Sequence, residues 1–404
     1  MQDLADTPPP IGDYDGIINS LIDGVYHHKI HGEQIPRQLY EQTANDLLNA
    51  MHVGIGGTSF GFDDPRNSLL AYFQQNLFQF SGAKSLAELK QFNSLLYDEN
   101  GIARTFQEFR NACFDAGLQF NKNWLETEYV TALAAAQSAL NWQSLQDSEV
   151  IEYNTVGDDR VRPAHAELDG FTEAPTNPIW NIIAPPSDWR CRCWLIPGIS
   201  HKIGQVAITI ERAKEMVPYY FQHNPGTSKI LLDDDGYMKY QVGNGAPKLL
   251  LAEKNYGMAS VESLYQNNTF PHRLEIQAKE GAYRWFNEQF LELDSMYTKD
   301  VTGVTVKVDE EMIRHTIEDN ADNRFEFVAN IPEVLKAPDE IWSYRNGDDL
   351  ERYYIKYYSA LPIVVSVNED NGIRAYTAYE AGRNGKLNVT QLIKLRRGTL
   401  IYRK

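Results

Sequence analysis

The first half of the chain contains one long amphipathic pattern. From Leu125 to Leu140, apolar side chains recur at offsets of 4, 7, 8, 11 and 15 residues, and this spacing predicts a helix with one buried face. The Ala-rich sequence LAAA within it favours close packing against a neighbouring helix. Residues 1–100 carry further helical patterns, interrupted by Gly- and Asn-rich stretches. The N-terminal domain is therefore predicted to be mainly helical, with the 125–140 helix in its core.

Residues 148–200 lose this periodicity. Pro, Gly, Asp, Asn and Trp dominate the segment, and no helical or strand pattern runs through it. An irregular segment of this length inside a compact domain is expected to be functional, or to be held by something other than secondary structure. Residues 201–270 contain one predicted helix, Val206–Met216, followed by turn-rich sequence typical of a linker.

The last third of the chain alternates in the manner of β-strands. Aromatic and β-branched side chains predict strands at 304–308, 352–358, 362–367 and 373–379, and EEMIRHTIED (310–319) reads as a helix. Asn371-Gly372 stands between the last two strands and is a strong hairpin signal. An antiparallel sheet with one or two helices on a face is the expected result.

Together the patterns predict an α+β chain of several domains. We expect a mainly α-helical domain with a long irregular Pro/Trp/Cys segment at residues 1–200, a helix and linker at 201–270, and a small α+β domain with an antiparallel sheet at 271–404.

Composition narrows the class of protein. A chain of 404 residues that is 43% hydrophobic can form packed cores and is not intrinsically disordered. No run of 18 apolar residues predicts a membrane-spanning helix, and the acidic, Pro-rich N-terminus does not resemble a signal peptide. Three cysteines do not form a disulfide scaffold, so synthesis in a reducing cytoplasm is expected.

Charge is distributed unevenly along the chain. The net charge of −17 argues against non-specific coating of DNA, because like charges repel. The stretch from Arg374 to Lys404 nevertheless holds eight basic residues and one acidic residue, Glu380. This stretch is either a basic tail that contacts DNA locally or a solvated surface.

An ordered set of short motifs runs through the irregular segment. In chain order these are Thr155-x-Gly157-Asp158, Val161-Arg162, His165, Leu168-Asp169-Gly170, Pro185-Pro186 and Cys191-Arg192-Cys193, preceded by Thr127-Glu128 on the Ala-rich helix. In this order the set resembles the head morphogenesis domain shared by the phage Mu F protein and related minor head proteins of tailed phages. The resemblance covers roughly residues 40–200.

The resemblance implies a role in the phage head. A member of this family would be made in the host cytoplasm and packaged in the interior of the virion head. It would lie near or on the portal, with portal and capsid proteins as partners. There it would assist capsid assembly or DNA delivery.

The chain departs from the family at positions that suit a metal. Many members carry a Cys-x-x-Cys and a His-Pro around the Cys-Arg-Cys, a set that suits zinc. Here Arg162 and His165 stand at the first pair, and Asp188-Trp189 replaces the second. The candidate zinc ligands that remain are His165, Cys191, Cys193 and either Asp169 or Asp188. The alternative is a packed loop in which the histidine forms hydrogen bonds and no cofactor is required.

The stretch from His315 to Tyr379 is similar to nuclease-toxin domains that are often fused behind this head domain. The group relates barnase, EndoU, colicin E5 and D, and RelE ribonucleases. The similarity lies in the order of four elements: a helix with His315, the turn IPEVLKAPDEIW, a strand with Lys356 and a strand with Thr377 and Tyr379. It implies an RNA substrate and cleavage without a metal ion.

The residue types fit that chemistry. Cleavage needs a group that takes the 2′-OH proton, a proton donor for the leaving oxygen, and cations or donors at the phosphate. His315 is the candidate acid/base, since imidazole side chains in general titrate near neutral pH. Lys356 and Arg374 are candidate phosphate ligands, and Thr377 is a candidate hydrogen-bond donor to the same group.

Aromatic residues complete the predicted nuclease site. Strand alternation places Arg352, Tyr354 and Lys356 on one face, where Arg352 and Tyr354 are candidates to bind substrate. Tyr354 or Tyr379 would stack on a base. Equally, tyrosines on a strand can serve packing, and a lysine between them can extend over an exposed sheet face.

Three functions stay open at this point. The first is a phage or prophage minor head protein with an appended ribonuclease-like toxin domain. The second is a purely structural head protein whose C-terminal domain is inert. The third is a secreted polymorphic toxin of prophage origin, which is disfavoured because the sequence shows no export signal. The sequence leaves open whether the C-terminal domain is an enzyme.

Overall fold

The computed structural model describes residues 10–30, 34–233, 252–291, 293–319, 323–383 and 386–404. The chain divides into two units: unit 1 consists of Met1–Gly57 and Asn76–Ala246, and unit 2 consists of Thr58–Gln75 and Pro247–Lys404. Part of the predicted linker, residues 234–251, and the start of the Pro-rich N-terminus, residues 1–9, lie outside the described residues.

Unit 1 is built mainly from helices, as the sequence predicts. They are α1 (Asp15–Tyr26), α2 (Arg37–Ile55), α3 (Pro65–Ser94), α4 (Phe106–Leu118), α5 (Leu125–Ser144), α6 (Pro163–Ala166), α7 (Trp180–Ile183), α8 (Ile210–Met216) and α9 (Pro225–Ser228). Only residues 76–94 of α3 belong to this unit. A π-helical turn, Gln119–Trp124, joins α4 to α5. The prediction of the long amphipathic helix is confirmed by α5.

Helix α5 packs closely against α2. A Cβ atom added to Gly54 of α2 would lie 2.6 Å from the Cβ of Ala136 and 2.7 Å from the carbonyl oxygen of Leu133. Glycine facing alanine lets the two backbones approach, which is the role that the Ala-rich sequence predicts. The α5 helix thus lies in the core of unit 1.

The irregular segment contains a small antiparallel sheet. Its strands are β1 (Ile151–Asn154), β2 (Thr172–Glu173) and β3 (Trp194–Pro197), in the order β2-β1-β3. Large aromatic side chains fill the core beneath the sheet, with Trp142, Tyr153, Phe171 and Trp180 buried together. Burial of aromatic area therefore holds a segment that has little regular structure.

The Thr127-Glu128 pair connects this segment to the helices. The Arg190 side chain donates to the Thr127 hydroxyl at 3.0 Å, and the Arg190 backbone N–H donates to the Thr131 hydroxyl at 3.1 Å. Glu128 forms a buried ion pair with Lys84 of α3 at 2.5 Å. One pair of residues thus ties the Cys-Arg-Cys segment and α3 to α5.

Unit 2 is an α+β unit around a seven-stranded sheet. Its strands are β4 (Ser295–Lys299), β5 (Thr305–Asp309), β6 (Glu340–Asn346), β7 (Asp349–Lys356), β8 (Ile363–Glu369), β9 (Ile373–Glu380) and β12 (Thr399–Arg403). The order is β12-β6-β7-β8-β9-β5-β4, and every neighbouring pair is antiparallel except β5 and β9. A separate two-stranded hairpin consists of β10 (Gly382–Arg383) and β11 (Lys386–Leu387).

Short helices surround this sheet. They are α10 (Ala252–Asn255), α11 (Val261–Asn267), α12 (Lys279–Gln289), α13 (Glu310–Glu318), α14 (Ile331–Lys336) and α15 (Val389–Leu395). The predicted strands at 304–308, 352–358, 362–367 and 373–379 are confirmed, as is the helix now called α13. Asn371 and Gly372 adopt positive φ angles of 49° and 107° at the β8–β9 turn, which confirms the hairpin.

Strand β7 is buried on both faces, although the sequence predicts one face for substrate. Residues 58–75, the segment that precedes and begins α3, belong to unit 2 and cover part of this face. Arg352 donates to the carbonyl oxygen of Ala71 at 2.9 Å and to the side-chain oxygen of Gln74 at 2.7 Å. The predicted boundary at residue 271 therefore differs from the structure, which adds residues 58–75 and 247–270 to the same unit.

Hydrogen bonds between side chains and backbone groups fix the 58–75 segment in unit 2. The Asn67 amide donates to the Thr305 carbonyl oxygen and accepts from the Thr305 N–H, both at 2.8 Å. The Thr305 hydroxyl donates to the Phe60 carbonyl oxygen at 2.6 Å. Because an unpaired buried backbone group is costly, this pairing makes the segment part of the fold.

The basic stretch from Arg374 to Lys404 is folded and is not a tail. It runs from β9 to β12, and β12 pairs with β6 in the sheet. Arg396 is buried and donates to Glu340 at 2.9 and 3.1 Å. Arg374 donates to Asp309 at 3.1 Å. The prediction of a basic tail is therefore corrected, because this stretch is folded into unit 2, while its contact with DNA stays a prediction.

The helices were also compared with the length and apolarity needed to cross a bilayer. Within the described ranges, none meets that requirement.

Candidate functional site

A cavity of about 860 Å³ lies at the end of strand β9 in unit 2. Strand β9, the β10–β11 hairpin, the start of α15 and the turn at Arg324 form its wall. The polar and charged side chains that the wall contributes include Arg324, Thr377, Tyr379, Glu380, Lys386 and Gln391. We call this space the β9 cavity. It brings together two residues of the predicted catalytic set, Thr377 and Tyr379.

Two cations stand in the wall of the β9 cavity. Arg324 is held by Asp319, with 3.3 Å between Nε and the carboxylate oxygen. Lys386 is exposed on β11 and extends the positive charge to the rim. A cavity with a paired guanidinium and an exposed ammonium suits an anionic group such as phosphate.

Glu380 supplies a carboxyl group to the same cavity. Burial raises the pKa of Glu380, and the nearby Arg273, at 2.6 Å, partly offsets this effect. A carboxyl group whose pKa is raised by burial is suited to proton transfer. The guanidinium of Arg273 also lowers the repulsion that a bound anion would meet from this carboxylate.

Tyr379 has its hydroxyl in a protected position. Burial raises the pKa of Tyr379, and hydrogen bonding with Ser366 acts in the opposite direction. The phenol therefore stays protonated at neutral pH and can donate a hydrogen bond. Thr377, two residues earlier on β9, is half-buried and offers a second hydroxyl.

The other predicted catalytic residues lie elsewhere. His315 is exposed on α13, a helix that packs against β9, and it is not among the residues that line the cavity. Lys356 is buried and donates to the Ala337 carbonyl oxygen at 2.6 Å. Arg374 is engaged by Asp309, as described above. The structure thus does not bring the five predicted catalytic residues into one site.

The two predicted substrate ligands on β7 are interior residues. Arg352 is 1% exposed and Tyr354 is fully buried. The Tyr354 hydroxyl donates to Asp300 at 2.7 Å, and Arg352 lies 3.6 Å from the same carboxylate. Burial raises the pKa of Tyr354. These contacts give both residues a structural role in unit 2.

A second cluster of reactive side chains lies in unit 1. The ligand atoms of His165, Cys191 and Cys193 all lie within 4.8 Å of one another. The imidazole Nδ1 is 3.7 Å from each of the two sulfurs. We call these three residues the Cys-His cluster. Three of the four predicted metal ligands are thereby gathered.

The two thiols of the Cys-His cluster influence each other's ionisation. A hydrogen bond from the Cys193 thiol lowers the pKa of Cys191, and the same bond raises the pKa of Cys193. Burial raises the pKa of the neighbouring Tyr153, whose hydroxyl lies 3.1 Å from that of Ser187.

The fourth predicted ligand, Asp169, lies outside the cluster. Its Oδ1 atom accepts hydrogen bonds from the Thr155 N–H at 2.7 Å and the Thr155 hydroxyl at 3.0 Å. The alternative, Asp188, is paired with Arg162 at 2.9 Å and accepts from the Trp189 N–H at 2.7 Å. Both carboxylates are thus engaged in holding the loop.

Comparisons with known protein families give one match in each of the two units. Residues 100–196 match the family model described as Phage Mu protein F like protein. Residues 283–403 match the model described as phage-Barnase-EndoU-ColicinE5/D-RelE like nuclease2. The chain joins a Mu F-like segment to a nuclease-like domain. The Cys-His cluster lies in the Mu F-like segment, and the β9 cavity lies in the nuclease-like domain. Both resemblances inferred from the sequence are confirmed.

A curated relative supports the first of these matches. The chain is 36% identical over 69 residues to the Mu-like prophage FluMu F protein of Haemophilus influenzae. The match covers 17% of this chain and 17% of the length of that relative. No solved structure matches the chain.

Sequence reasoning missed three residues of the β9 cavity: Arg324, Glu380 and Lys386. For Lys386 a signal existed, because Asn384-Gly385 before it is a hairpin dipeptide. In the structure Arg383 of β10 pairs with Lys386 of β11. Glu380 was noted for its charge within a basic stretch, and the strand pattern that ends there could have placed it beside Tyr379. Arg324 sits in a short turn that carries no such signal.

Proposed function

We propose that this protein is a minor head component of a tailed phage or prophage whose nuclease-like domain cleaves RNA without a metal ion. The β9 cavity is the observation that supports RNA cleavage by this domain. It combines two cations, two hydroxyl groups and a carboxyl group with a raised pKa inside the matched nuclease-like region. Metal-independent cleavage of RNA requires these kinds of group.

Each cavity residue has a definite role in this proposal. Arg324 and Lys386 bind the scissile phosphate, and Thr377 donates a hydrogen bond to it as negative charge develops. Glu380 transfers a proton, because burial raises its pKa above that of an ordinary carboxyl group. His315 stays a candidate for the second proton-transfer group, from its exposed position on α13.

In this arrangement Tyr379 contacts both the scissile phosphate and a nucleobase of the RNA. Its hydroxyl donates a hydrogen bond, and its ring offers a surface on which a nucleobase can stack. An aromatic ring accepts any base, so we expect weak sequence preference from this contact alone.

The test uses the full chain, because unit 2 includes residues 58–75. The protein is incubated with a labelled RNA and EDTA, and cleavage rates are measured for the wild type, Lys386→Ala and Glu380→Gln. Removal of the Lys386 cation should slow cleavage roughly ten- to a hundred-fold, as the loss of one transition-state contact does. Loss of the Glu380 proton-transfer group should slow it by a similar factor or more.

Lys394→Ala is the matched control. Lys394 is also an exposed lysine, lies on α15, and is not part of the cavity wall, so its removal should leave the rate unchanged. Equal loss in both lysine variants would overturn the assignment to the β9 cavity. If the wild type cleaves no RNA, the domain is an inert structural part. If His315→Ala abolished cleavage and the two cavity variants did not, the central role in cleavage would belong to His315 on α13 and not to the β9 cavity.

The head role rests on the Mu F-like segment. Its match covers residues 100–196, and the curated relative is a prophage F protein by its printed name. We propose portal and capsid proteins as partners and the interior of the virion head as the final location. Synthesis would take place in the host cytoplasm.

A further inference from the structure

The Cys-His cluster has the dimensions of a zinc site. Bond lengths of about 2.3 Å to sulfur and about 2.0–2.1 Å to nitrogen place tetrahedral sulfur and nitrogen ligands about 3.6 Å apart. In the structure the Nδ1 atom of His165 lies 3.7 Å from both Cys191 Sγ and Cys193 Sγ. The three donors therefore need little movement to surround one ion.

The equal distances favour an ion over a hydrogen-bonded network. A neutral imidazole nitrogen offers either one N–H or one lone pair, so His165 Nδ1 can form one good hydrogen bond with a thiol at a time. A metal ion at the centre of the triangle is shared by all three atoms. Two thiolates and an imidazole are also the donor set that zinc prefers.

Neighbouring residues hold the donors in position. Arg192, between the two cysteines, donates to both carboxylate oxygens of Asp158 at 2.6 Å. Arg190 is fixed to α5 through Thr127 and Thr131, as described above. His165 lies on α6, is 3% exposed, and directs its ring towards both sulfurs. This support fixes ligand orientation before any ion arrives.

The position left for a fourth ligand faces a small cavity. Asp169 and Asp188 are engaged elsewhere, and in the described ranges the cluster contains three protein donors. Beside it lies a cavity of about 20 Å³ lined in part by Arg160, Arg162 and Arg192. That volume is about the size that one water molecule requires.

We propose that His165, Cys191 and Cys193 bind one zinc ion through three protein ligands, with water in the fourth position. With three protein donors in the cluster, one position of a tetrahedral ion stays open. Two thiolates neutralise the charge of the ion. The surrounding arginines then favour a small anion as a replacement for the water.

The first experiment measures zinc in the full chain. Protein purified without chelator from cells supplied with zinc should contain about one zinc ion per chain by elemental analysis. Cys193→Ala should reduce the zinc content to near zero. Cys113→Ala is the control, because Cys113 is a buried cysteine on α4 outside the cluster, and this variant should keep its zinc.

A conservative variant separates ligation from folding. His165→Cys replaces one zinc donor by another and should retain zinc, whereas His165→Ala should lose it. A wild type without zinc would refute the site, as would a Cys193→Ala variant that keeps the zinc content of the wild type.

Cobalt substitution tests the open position. The cobalt form should show thiolate-to-metal absorption, and azide should shift the visible bands by replacing the water. Bands that azide leaves unchanged would contradict the open position. Neither readout depends on RNA cleavage, so failure here is separate from failure of the proposed nuclease.

Discussion

Glu88 is a carboxyl group completely buried in unit 1. Its Oε1 atom accepts a hydrogen bond from the Asn121 amide at 2.7 Å, while the neighbouring Lys84 is paired with Glu128. Burial raises the pKa of Glu88 from 4.5 to about 8, and the nearby Lys84 opposes this effect. Glu88 is therefore protonated in the folded protein at neutral pH and ionised in the unfolded chain.

This difference predicts that unit 1 loses stability as the pH rises. Between the unfolded pKa and the folded pKa the native state holds one more proton than the unfolded state, so the free energy of unfolding falls with pH. The slope is about 1.4 kcal/mol per pH unit within that window. Glu88→Gln keeps the hydrogen bond from Asn121 and cannot ionise. Denaturant unfolding of the variant should show a flatter pH dependence and higher stability at about pH 8.

Glu99→Gln serves as the control for this measurement. Glu99 is exposed in the same unit, and its replacement should leave the pH dependence as in the wild type. If Glu88→Gln and the wild type lost stability equally between about pH 6 and about pH 8, the buried carboxyl group would not be the cause.

The candidate nuclease site shows which residues a sequence can place. Thr377 and Tyr379 were predictable because strand alternation fixes their side of β9. Lys356 and Arg352 have the same kind of signal, yet both are buried. Alternation identifies a face and says nothing of what covers it. Arg352 is covered by a segment that includes Ala71, which lies 281 positions earlier in the chain. No local sequence pattern reveals this contact.

At the scale of elements, the segment 58–75 completes unit 2. It pairs with the start of β5 through Asn67, and its residue Gln74 contacts both Arg352 and the loop at Thr302. Gly303 shows how close the approach is, because a Cβ atom added there would lie 2.0 Å from the Thr58 carbonyl oxygen. Without this segment Arg352 would lose two of the acceptors that compensate its burial, the Ala71 carbonyl oxygen and the Gln74 side chain.

A fragment of residues 247–404 should therefore need residues 58–75 in order to fold. Alone, it should unfold without a cooperative thermal transition, because buried groups such as the Thr305 backbone amide lose their partners. Co-expression with a peptide of residues 58–75 should restore cooperative unfolding, measured by circular dichroism after gel filtration.

A peptide with Asn67→Ala is the matched control. It leaves the Thr305 N–H and carbonyl groups unpaired, at a cost of about 1–3 kcal/mol for each group, and should restore folding poorly. Cooperative unfolding of 247–404 without any peptide would show that the segment is dispensable.

Five regular elements of unit 2 were predicted from the sequence, the strands β5, β7, β8 and β9 and the helix α13, and the arrangement of the sheet was less predictable. The β8–β9 hairpin follows from Asn371-Gly372, and α13 from its amphipathic pattern. The parallel pairing of β5 with β9 and the return of β12 to β6 depend on contacts between distant parts of the chain. Burial of both faces of β7 likewise depends on non-local packing. Periodicity reports the neighbours of a residue along the chain and not its neighbours in space.

At the scale of the whole molecule, the chain joins a Mu F-like segment to a nuclease-like domain. The Mu F-like segment suits incorporation into a phage head, and the nuclease-like domain suits action on nucleic acid. A protein packaged with the genome would be delivered where its domain meets RNA. The proposal therefore depends on the protein being present in finished particles.

Purified particles from an induced lysogen should contain this protein. Mass spectrometry of DNA-filled heads should detect peptides from both units, since the proposal places the full chain in the virion. Detection should persist after protease treatment of intact particles, because the capsid interior is protected. Absence from filled heads, with the protein present in the lysate, would contradict the head role and leave the cleavage assay unaffected.

The division of unit 2 along the chain has a consequence during translation. Ala71 and Arg352 are 281 residues apart, so at about 5–20 residues per second the first partner waits on the order of 10–60 s for the second. Unit 1 consists of residues that are all made by position 246. A ribosome that stops after that point releases a chain with a whole head-type unit and an unfinished nuclease-like domain. Products that end before Gln391 therefore lack part of the wall of the β9 cavity.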